Sequence, residues 1–155
     1  MILRELSLDD VEKATGIDRR CFSEAVAYPM EIFEECILSS VCETVGLEKD
    51  GELVGFFIVF YSGPASTQIV TIDVDPDHRG QGAGNLLMEE LEHRARHKGV
   101  RRLFLQVSVD NLSAQRLYKK FNYRLRRILQ NYYGPGLHAY LMEKKLAETA
   151  RASGL

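Results

Sequence analysis

The sequence predicts an α+β fold: a central mixed sheet of about six to seven strands flanked by about four helices. Three observations predict it. Apolar residues alternate at the strand period in some stretches and recur at the helical period in others, along a chain without repeats or low-complexity linkers. Asp50-Gly51 separates the apolar runs 44–49 and 52–61, a strong hairpin signal that implies antiparallel pairing. Val70-Thr71-Ile72-Asp73-Val74-Asp75 alternates as a strand and stops at Pro76, and a helix follows directly on Arg79-Gly80-Gln81-Gly82-Ala83-Gly84.

Each element has its own warrant. Ile2 to Glu5 reads as a short strand. Ser7, with Asp10 three residues on, marks a helix start, and Leu8, Val11, Ala14, Ile17 and Cys21 follow at helical spacing. Pro29 suits the first turn of a second helix carrying Ile32, Phe33, Cys36 and Ile37. After the hairpin comes a loop at Ser62-Gly63-Pro64-Ala65-Ser66, then the strand ending at Pro76. The helix behind the glycines runs from about Gly82 to Lys98 and stops near Gly99. Leu103 to Val109 is a strand, and Asp110 or Asn111 caps a helix with Ala114, Leu117 and Tyr118, Phe121 lying beyond. A strand from Tyr123 to Gln130, a loop through Asn131-Tyr132-Tyr133 and Gly134-Pro135-Gly136, and a strand from about Leu137 to Lys144 complete a single domain over residues 1–145. Residues 146–155 are expected to fray as a tail.

Composition narrows the class. With 155 residues, 45% of them hydrophobic, the chain buries one good core but hardly two. A formal net charge of −2 points to neither nucleic acid nor an anionic membrane as partner. No apolar run approaches a membrane span and the N-terminus lacks a signal-peptide pattern, so a cytoplasmic location is expected. Cys21, Cys36 and Cys42 are odd in number and lack metal spacing, which predicts reduced thiols and no metal.

The glycine-rich turn carries the chemistry. Glycines let backbone N–H groups converge on one point, and the helix adds its positive end, so a phosphate or pyrophosphate is the natural occupant. The dinucleotide fingerprint needs G-x-G-x-x-G, whereas the spacing here is Gly80-x-Gly82-x-Gly84. A P-loop needs Gly-Lys-Ser/Thr, whereas Asn85 follows Gly84. What remains is R-x-x-G-x-G: Arg79, Gly82 and Gly84. Further on stand Asn111-x-x-Ala114, Leu117-Tyr118 and Lys119-Lys120-Phe121-Asn122-Tyr123. In this order the two motifs resemble the GNAT family, the Gcn5-related N-acetyltransferases, over roughly residues 1 to 145. Asn122 stands where the family's pattern has glycine; asparagine tolerates the positive φ of a helix C-terminus.

The resemblance implies the family's acyl-CoA N-acyltransferase fold, with a mostly antiparallel sheet splayed at the cofactor strand, and acetyl-CoA as acyl donor. By position, main-chain groups of Ile72, Asp73 and Val74 would meet the pantetheine arm and acetyl carbonyl, with the Val74 N–H on the carbonyl. Arg79, Gly80, Gln81, Gly82, Ala83, Gly84 and Asn85 would hold the pyrophosphate. Asn111 would hydrogen-bond the cofactor, although a simple helix cap reads equally well. Tyr118 matches the general acid; a phenol with an ordinary pKa near 10 is protonated at pH 7 and can protonate the leaving thiolate.

The acceptor half resembles the branch that acetylates ribosomal-protein alanines and other protein N-termini. Asn131-Tyr132-Tyr133, Gly134-Pro135-Gly136 and Ala139-Tyr140-Leu141-Met142 carry that resemblance, with Cys21-Phe22 and Tyr28-Pro29. It implies that Phe22, Tyr28, Tyr132, Tyr133 and His138 wall a slot for a chain end; a sheet-edge aromatic cluster is the plainer reading of the tyrosines. Gln106 departs from the branch, which has a basic glutamate or histidine there. A glutamine accepts no proton, though it can orient a water. An α-amine with a pKa near 7.8 is already about one-tenth neutral at pH 7, whereas a lysine near 10.4 is neutral in about one molecule in 2,500. An N-terminal acceptor therefore tolerates the missing base better. His138, Glu35, Glu43 and water chains stay open as substitutes. Arg94, Arg96, His97, Lys98, Arg101 and Arg102 read as a solvated face complementing a helix dipole, with the 3′-phosphate of CoA as the alternative. Expected partners are a protein or peptide N-terminus or a small amine, with the chain a monomer or homodimer. Two other readings stay open: acetylation of a small amine or lysine side chain, and a catalytically weak acyl-CoA sensor.

Overall fold

The computed structural model describes residues 1–147. Within them lies one sheet of seven strands: β1 (Ile2–Glu5), β2 (Cys42–Lys49), β3 (Glu52–Phe60), β4 (Thr67–Val74), β5 (Arg102–Ser108), β6 (Arg124–Gly134) and β7 (Leu137–Lys145). The spatial order is β1-β2-β3-β4-β5-β7-β6. Every neighbouring pair is antiparallel except β4 with β5. Helices α1 (Val11–Cys21), α2 (Met30–Leu38), α3 (Ala83–His97) and α4 (Leu112–Lys120) make the other layers.

The local signals are met in detail. Asp50 and Gly51 both take positive φ, +53° and +82°, as the tight hairpin turn between β2 and β3 requires. Ser7 and Asp10 form a capping box, although the first turn is a 3₁₀ segment and α1 proper begins at Val11. Asn111 caps α4, its Oδ1 accepting from the Ala114 N–H at 3.1 Å. Asn122 sits at φ +70° behind that helix, in the role of the family's glycine.

Alternation along β3 divides the core in two. Phe56 and Ile58 face α1 and α2, packing with Leu6, Val11, Ala14, Ile17 and Phe33. Phe57 and Val59 face the opposite side and join Leu87, Met88 and Leu91 of α3 and Tyr118 of α4. Gly55 brings the layers together: a Cβ there would lie 2.8 Å from the Asp73 carbonyl oxygen and 3.1 Å from Leu87 Cδ1. Glu92 of α3, 3% exposed, is held by Lys144 of β7 at 2.7 Å, Arg96 at 3.3 Å and the Tyr123 hydroxyl at 3.0 Å. A buried carboxylate with three donors is satisfied.

One segment differs from the sequence expectation. Asn131-Tyr132-Tyr133 is not loop but the end of β6, beyond a register shift between Leu129 and Gly134. Asn131 takes φ +57°, donates its N–H to His138 Nδ1 at 2.9 Å and accepts from the Gly136 N–H at 2.7 Å. The bulge absorbs the asparagine while the two aromatics keep the strand. Leu146, placed in the expected tail, packs in the core with its N–H on the Arg101 carbonyl at 2.8 Å. Residues 148–155 of that tail lie outside the described residues.

Phe33 is fully buried, edge-on to Phe56 at 5.7 Å and to Tyr28 at 6.5 Å. Phe33→Ala should lower unfolding free energy in urea by about 3–5 kcal/mol at an unchanged m-value. A loss below about 1 kcal/mol would show that α1 and α2 do not depend on this ring.

Candidate functional site

β4 and β5 pair at only Thr67–Leu103 and Gln68–Phe104. Beyond that point β4 continues along β3 while β5 follows β7, and a gap opens between them. The gap-facing edge of β4 can be read from its bonds. The Val70 carbonyl accepts from the Tyr28 hydroxyl at 3.3 Å and the Val74 carbonyl from the Cys21 thiol at 3.3 Å, whereas the Asp75 N–H turns to the Val54 carbonyl of β3 at 2.8 Å. Strand alternation therefore aims the N–H groups of Ile72 and Val74 into the gap. Asp73 pairs with Phe56 of β3, its side chain is buried, and it is not among the residues that line the cleft.

At the end of β4, Asp75 accepts from the Asp77 N–H at 2.9 Å and closes a short 3₁₀ turn, Pro76–His78. Gly80 and Gly82 then take φ +76° and +84°, and Gly82 caps α3. Nothing lies within 4 Å of the position a Cβ would take on either, so the loop presents bare backbone to open space. Gly84 is helical; its Cβ position lies 3.5 Å from Leu117 of α4, which seats the two helices against each other.

These parts enclose a cleft of about 280 Å³ lined by Ile72, Val74, Arg79, Gly80, Gly82, Ala83, Gly84, Asn85, Asn111 and Tyr118. Gln81, also expected here, turns away and accepts from Lys49 Nζ at 2.7 Å. Cys21, Ser113, Ala114 and Leu117 line it as well and were not foreseen. The α4 residues were within reach of helical spacing from Asn111 and Tyr118, since Ala114 precedes Tyr118 by one turn. Cys21, with Phe22, carried the resemblance to the acceptor branch but not an expectation at this cleft.

A second, narrow chamber of about 40 Å³ continues past Tyr118 between the splayed strands, with Phe22, Tyr28, Gln106, Tyr132 and Tyr133 among its walls. Asn111, Ala114, Phe22 and Tyr118 border both spaces. His138 is not among the lining residues; it holds the β6–β7 bulge instead. Glu35 is exposed on α2, and Glu43 is engaged by the Tyr61 hydroxyl at 2.6 Å and by Arg94 at 3.1 Å. Neither serves the chamber. Gln106 does line it, its Oε1 accepting from Gln68 Nε2 at 2.9 Å.

Burial sets the protonation states. It raises the Tyr118 phenol well above its ordinary value, with the Asp73 charge adding to the shift, so Tyr118 carries its proton throughout the physiological range. Its hydroxyl makes no protein hydrogen bond among the described residues. Burial also pushes Tyr28 up to about 12 and Cys21 up to about 11, which keeps Cys21 a thiol and excludes a resting thiolate nucleophile. The basic cluster at the α3 C-terminus is largely paired: Arg94 with Glu5, Glu43 and Glu90, Arg96 with Glu92, Arg102 with Glu143. It lies at the opposite end of α3 from the glycine turn, away from any 3′-phosphate bound there. No described helix is long and apolar enough to cross a membrane.

Known proteins share this chain's sequence pattern and fold. The Acetyltransferase (GNAT) family matches residues 11–123. A Bacillus subtilis protein, named provisionally as a ribosomal protein bS18-alanine N-acetyltransferase, is 30% identical over 131 residues, covering 84% of this chain and 85% of its own. An N-alpha-acetyltransferase of Sulfolobus acidocaldarius is 30% identical over 156 residues, covering 93% and 92%. In fold, the crystal structure of the ribosomal-protein-S18-alanine N-acetyltransferase from Escherichia coli superposes with a TM-score of 0.85 over 99% of both chains at 23% identity. The glycine loop at the head of α3, the splayed β4 and the capped helix bearing Tyr118 thus stand in a chain that belongs to the GNAT family of acetyltransferases.

Proposed function

We propose that the protein transfers the acetyl group of acetyl-CoA to the α-amine of a protein or peptide N-terminus, by direct attack of the amine in a ternary complex. The observation that carries this reading is the pair of spaces meeting at Tyr118, a bare-backbone cleft on one side and a narrow aromatic chamber on the other. The relatives named for N-terminal and ribosomal-protein acetylation support it.

The residues fit a CoA-type donor. Gly80, Gly82 and the first turn of α3 direct N–H groups and the helix dipole at a pyrophosphate, with Arg79 beside them. Bound acetyl-CoA supplies a thioester to the amine. The Val74 N–H, seconded by Ile72, donates to the oxygen on which negative charge develops. Tyr118 holds a proton at its hydroxyl for the departing sulfur. Tyr28, Tyr132 and Tyr133 narrow the chamber to a slender chain end, and Gln106 is placed to orient a water. Without a carboxylate at position 106, an α-amine is favoured over lysine because more of it is already neutral.

A panel of peptides with free N-termini, Nα-blocked lysine peptides and small amines, read by thiol release from acetyl-CoA, tests the acceptor. Free N-termini should dominate in kcat/KM; equal turnover of blocked lysine peptides or small amines would overturn the assignment. Gly82→Val places a β-branched residue at φ +84° in front of the pyrophosphate site. It should weaken CoA binding about tenfold or more in calorimetry while the circular dichroism stays native; unchanged affinity in a folded variant would remove the loop from the donor site. Tyr118→Phe should leave the KM for acetyl-CoA unchanged and lower kcat about 10²-fold. An unaltered kcat with chemistry rate-limiting would exclude the general-acid role.

A further inference from the structure

Two carboxyl groups lie buried beside the aromatic chamber. Asp18 of α1 is 0% exposed and Asp73 of β4 is 1% exposed. Two of their oxygens have donors: the Tyr28 N–H bonds to Asp18 Oδ2 at 2.8 Å, and the Thr71 hydroxyl bonds to Asp73 Oδ1. The other two, Asp18 Oδ1 and Asp73 Oδ2, have no donor among the described residues. The two carboxyls lie close enough for the Asp18 charge to raise Asp73, after burial the largest cause of its shift. A single proton held between them satisfies both orphan oxygens, whereas two bare carboxylates would be desolvated and mutually repelled. No ion pair relieves them among the described residues. Arg19 of α1 and Arg79 beyond β4 act only through their fields, and the remaining titratable neighbours, Cys21 of α1, Tyr28 and Tyr118 of α4, are neutral at pH 7.

Both donors to the pair, Tyr28 and Thr71, belong to residues that line the aromatic chamber. We propose that the Asp18–Asp73 pair, holding one shared proton at rest, takes up the proton that the acceptor amine loses, through the Thr71 hydroxyl. The inference rests on the acetyl-transfer reading above and supplies the base that Gln106 cannot be. An N–H bond of the ammonium breaks and its proton passes to Thr71 Oγ1, directly or through one water. The proton already on Thr71 moves to Asp73 Oδ1. The pair goes from one proton to two and from one negative charge to none, and the amine keeps the electron pair with which it attacks. Release of the product lets the extra proton return to water by the same path. Asp18 and Asp73 touch no substrate in this scheme; they act through Thr71.

The same protons tie stability to pH. Burial raises both carboxyls above the ordinary carboxylate range, so the native state binds more protons than the unfolded one. Stability is therefore fullest at and below the ordinary carboxylate range and declines as pH rises from there through the raised values.

The test is a pH–rate profile with the best acceptor that the panel identifies, for Asp73→Asn and Thr71→Val. Asp73→Asn can donate to Asp18 and keeps its acceptor for Thr71, but it cannot take the extra proton. It should lower kcat about 20-fold at pH 6.5, where an α-amine of pKa near 7.8 is about one-twentieth neutral, the deficit shrinking toward pH 9 as the amine deprotonates unaided, with the KM for acetyl-CoA unchanged. Thr71→Val, isosteric without the hydroxyl, should give the same pH-dependent loss, and Thr71→Ser should restore most of the rate. Thr71→Val also carries the test should Asp73→Asn fail to fold. Infrared difference spectra of the unliganded protein at pH 7 should show one protonated carboxyl that Asp73→Asn removes, and Asp73→Asn should flatten the fall of melting temperature with pH. Variant profiles parallel to the wild type at every pH, or a wild type without a protonated carboxyl at pH 7, would overturn the proposal. The infrared result needs no turnover, so a failed peptide panel would strike the acceptor assignment and leave the shared proton separately decided.

Discussion

The parting of β4 from β5 after two residue pairs is the constraint on which the rest of the site depends. A fully paired parallel ladder would use the gap-facing N–H and C=O groups of Val70, Ile72 and Val74. Released from it, those groups are satisfied partly by side chains, the Tyr28 hydroxyl and the Cys21 thiol, and partly left for a ligand. Buried backbone groups seldom go unpaired, so an opening of this kind is stable only where something fills it or water reaches it. The parting also sets the two flanking helices. α3 follows the end of β4 and α4 the end of β5, and the first turn of α3 meets the second turn of α4 at Gly84 and Leu117. Tyr118, two turns into α4, then stands where the cleft and the aromatic chamber join.

Packing holds the wedge open. The helices are divided between the faces of the sheet: α1 and α2 on one, α3 and α4 on the other. β3 is buried on both sides, and each face anchors one wall of the gap. Gly55 lets α3 and β4 close on β3 without a side chain between them. On the other wall, Glu92 links α3 to β7 and to Tyr123 through buried hydrogen bonds, and those contacts bring β7 and the exit of α4 into register with the head of the cleft. Removing one partner of such a buried set leaves a charge without compensation, so these links fix geometry more than they add free energy.

Around Tyr118 the one arginine that lines the cleft is Arg79, at the glycine turn. The tyrosines and Cys21 are kept neutral by burial, and the arginines on α3 are turned outward to acidic partners. Beneath β4, burial raises the Asp18 and Asp73 carboxyls above the ordinary carboxylate range. The described residues hold no cluster of His, Cys, Asp and Glu that could bind a metal ion.

How much of this was legible in the sequence follows from range. Signals that act over a few residues were readable: the Asp50-Gly51 turn, the Ser7 capping box, the Asn111 cap and the glycines at 80 and 82, each fixed by local backbone sterics or by a side chain reaching its own neighbours. Motif spacing likewise carried the family resemblance and, with it, the donor loop and Tyr118. Side-chain direction and strand pairing required the tertiary structure. Asp73 and Gln81 belong to the motif yet face away from the cleft, Asp73 because side chains alternate along a strand and Gln81 because Lys49 of β2 holds its amide. His138 reads as a base candidate until the β6 bulge claims its ring nitrogen, and the two tyrosines read as loop until β7 pairs around them. Asp18 and Asp73, 55 positions apart in the chain, give no sign of one another in the sequence. Their meeting is decided by the docking of α1 on β4, and chain folding alone turns two ordinary aspartates into a buried pair.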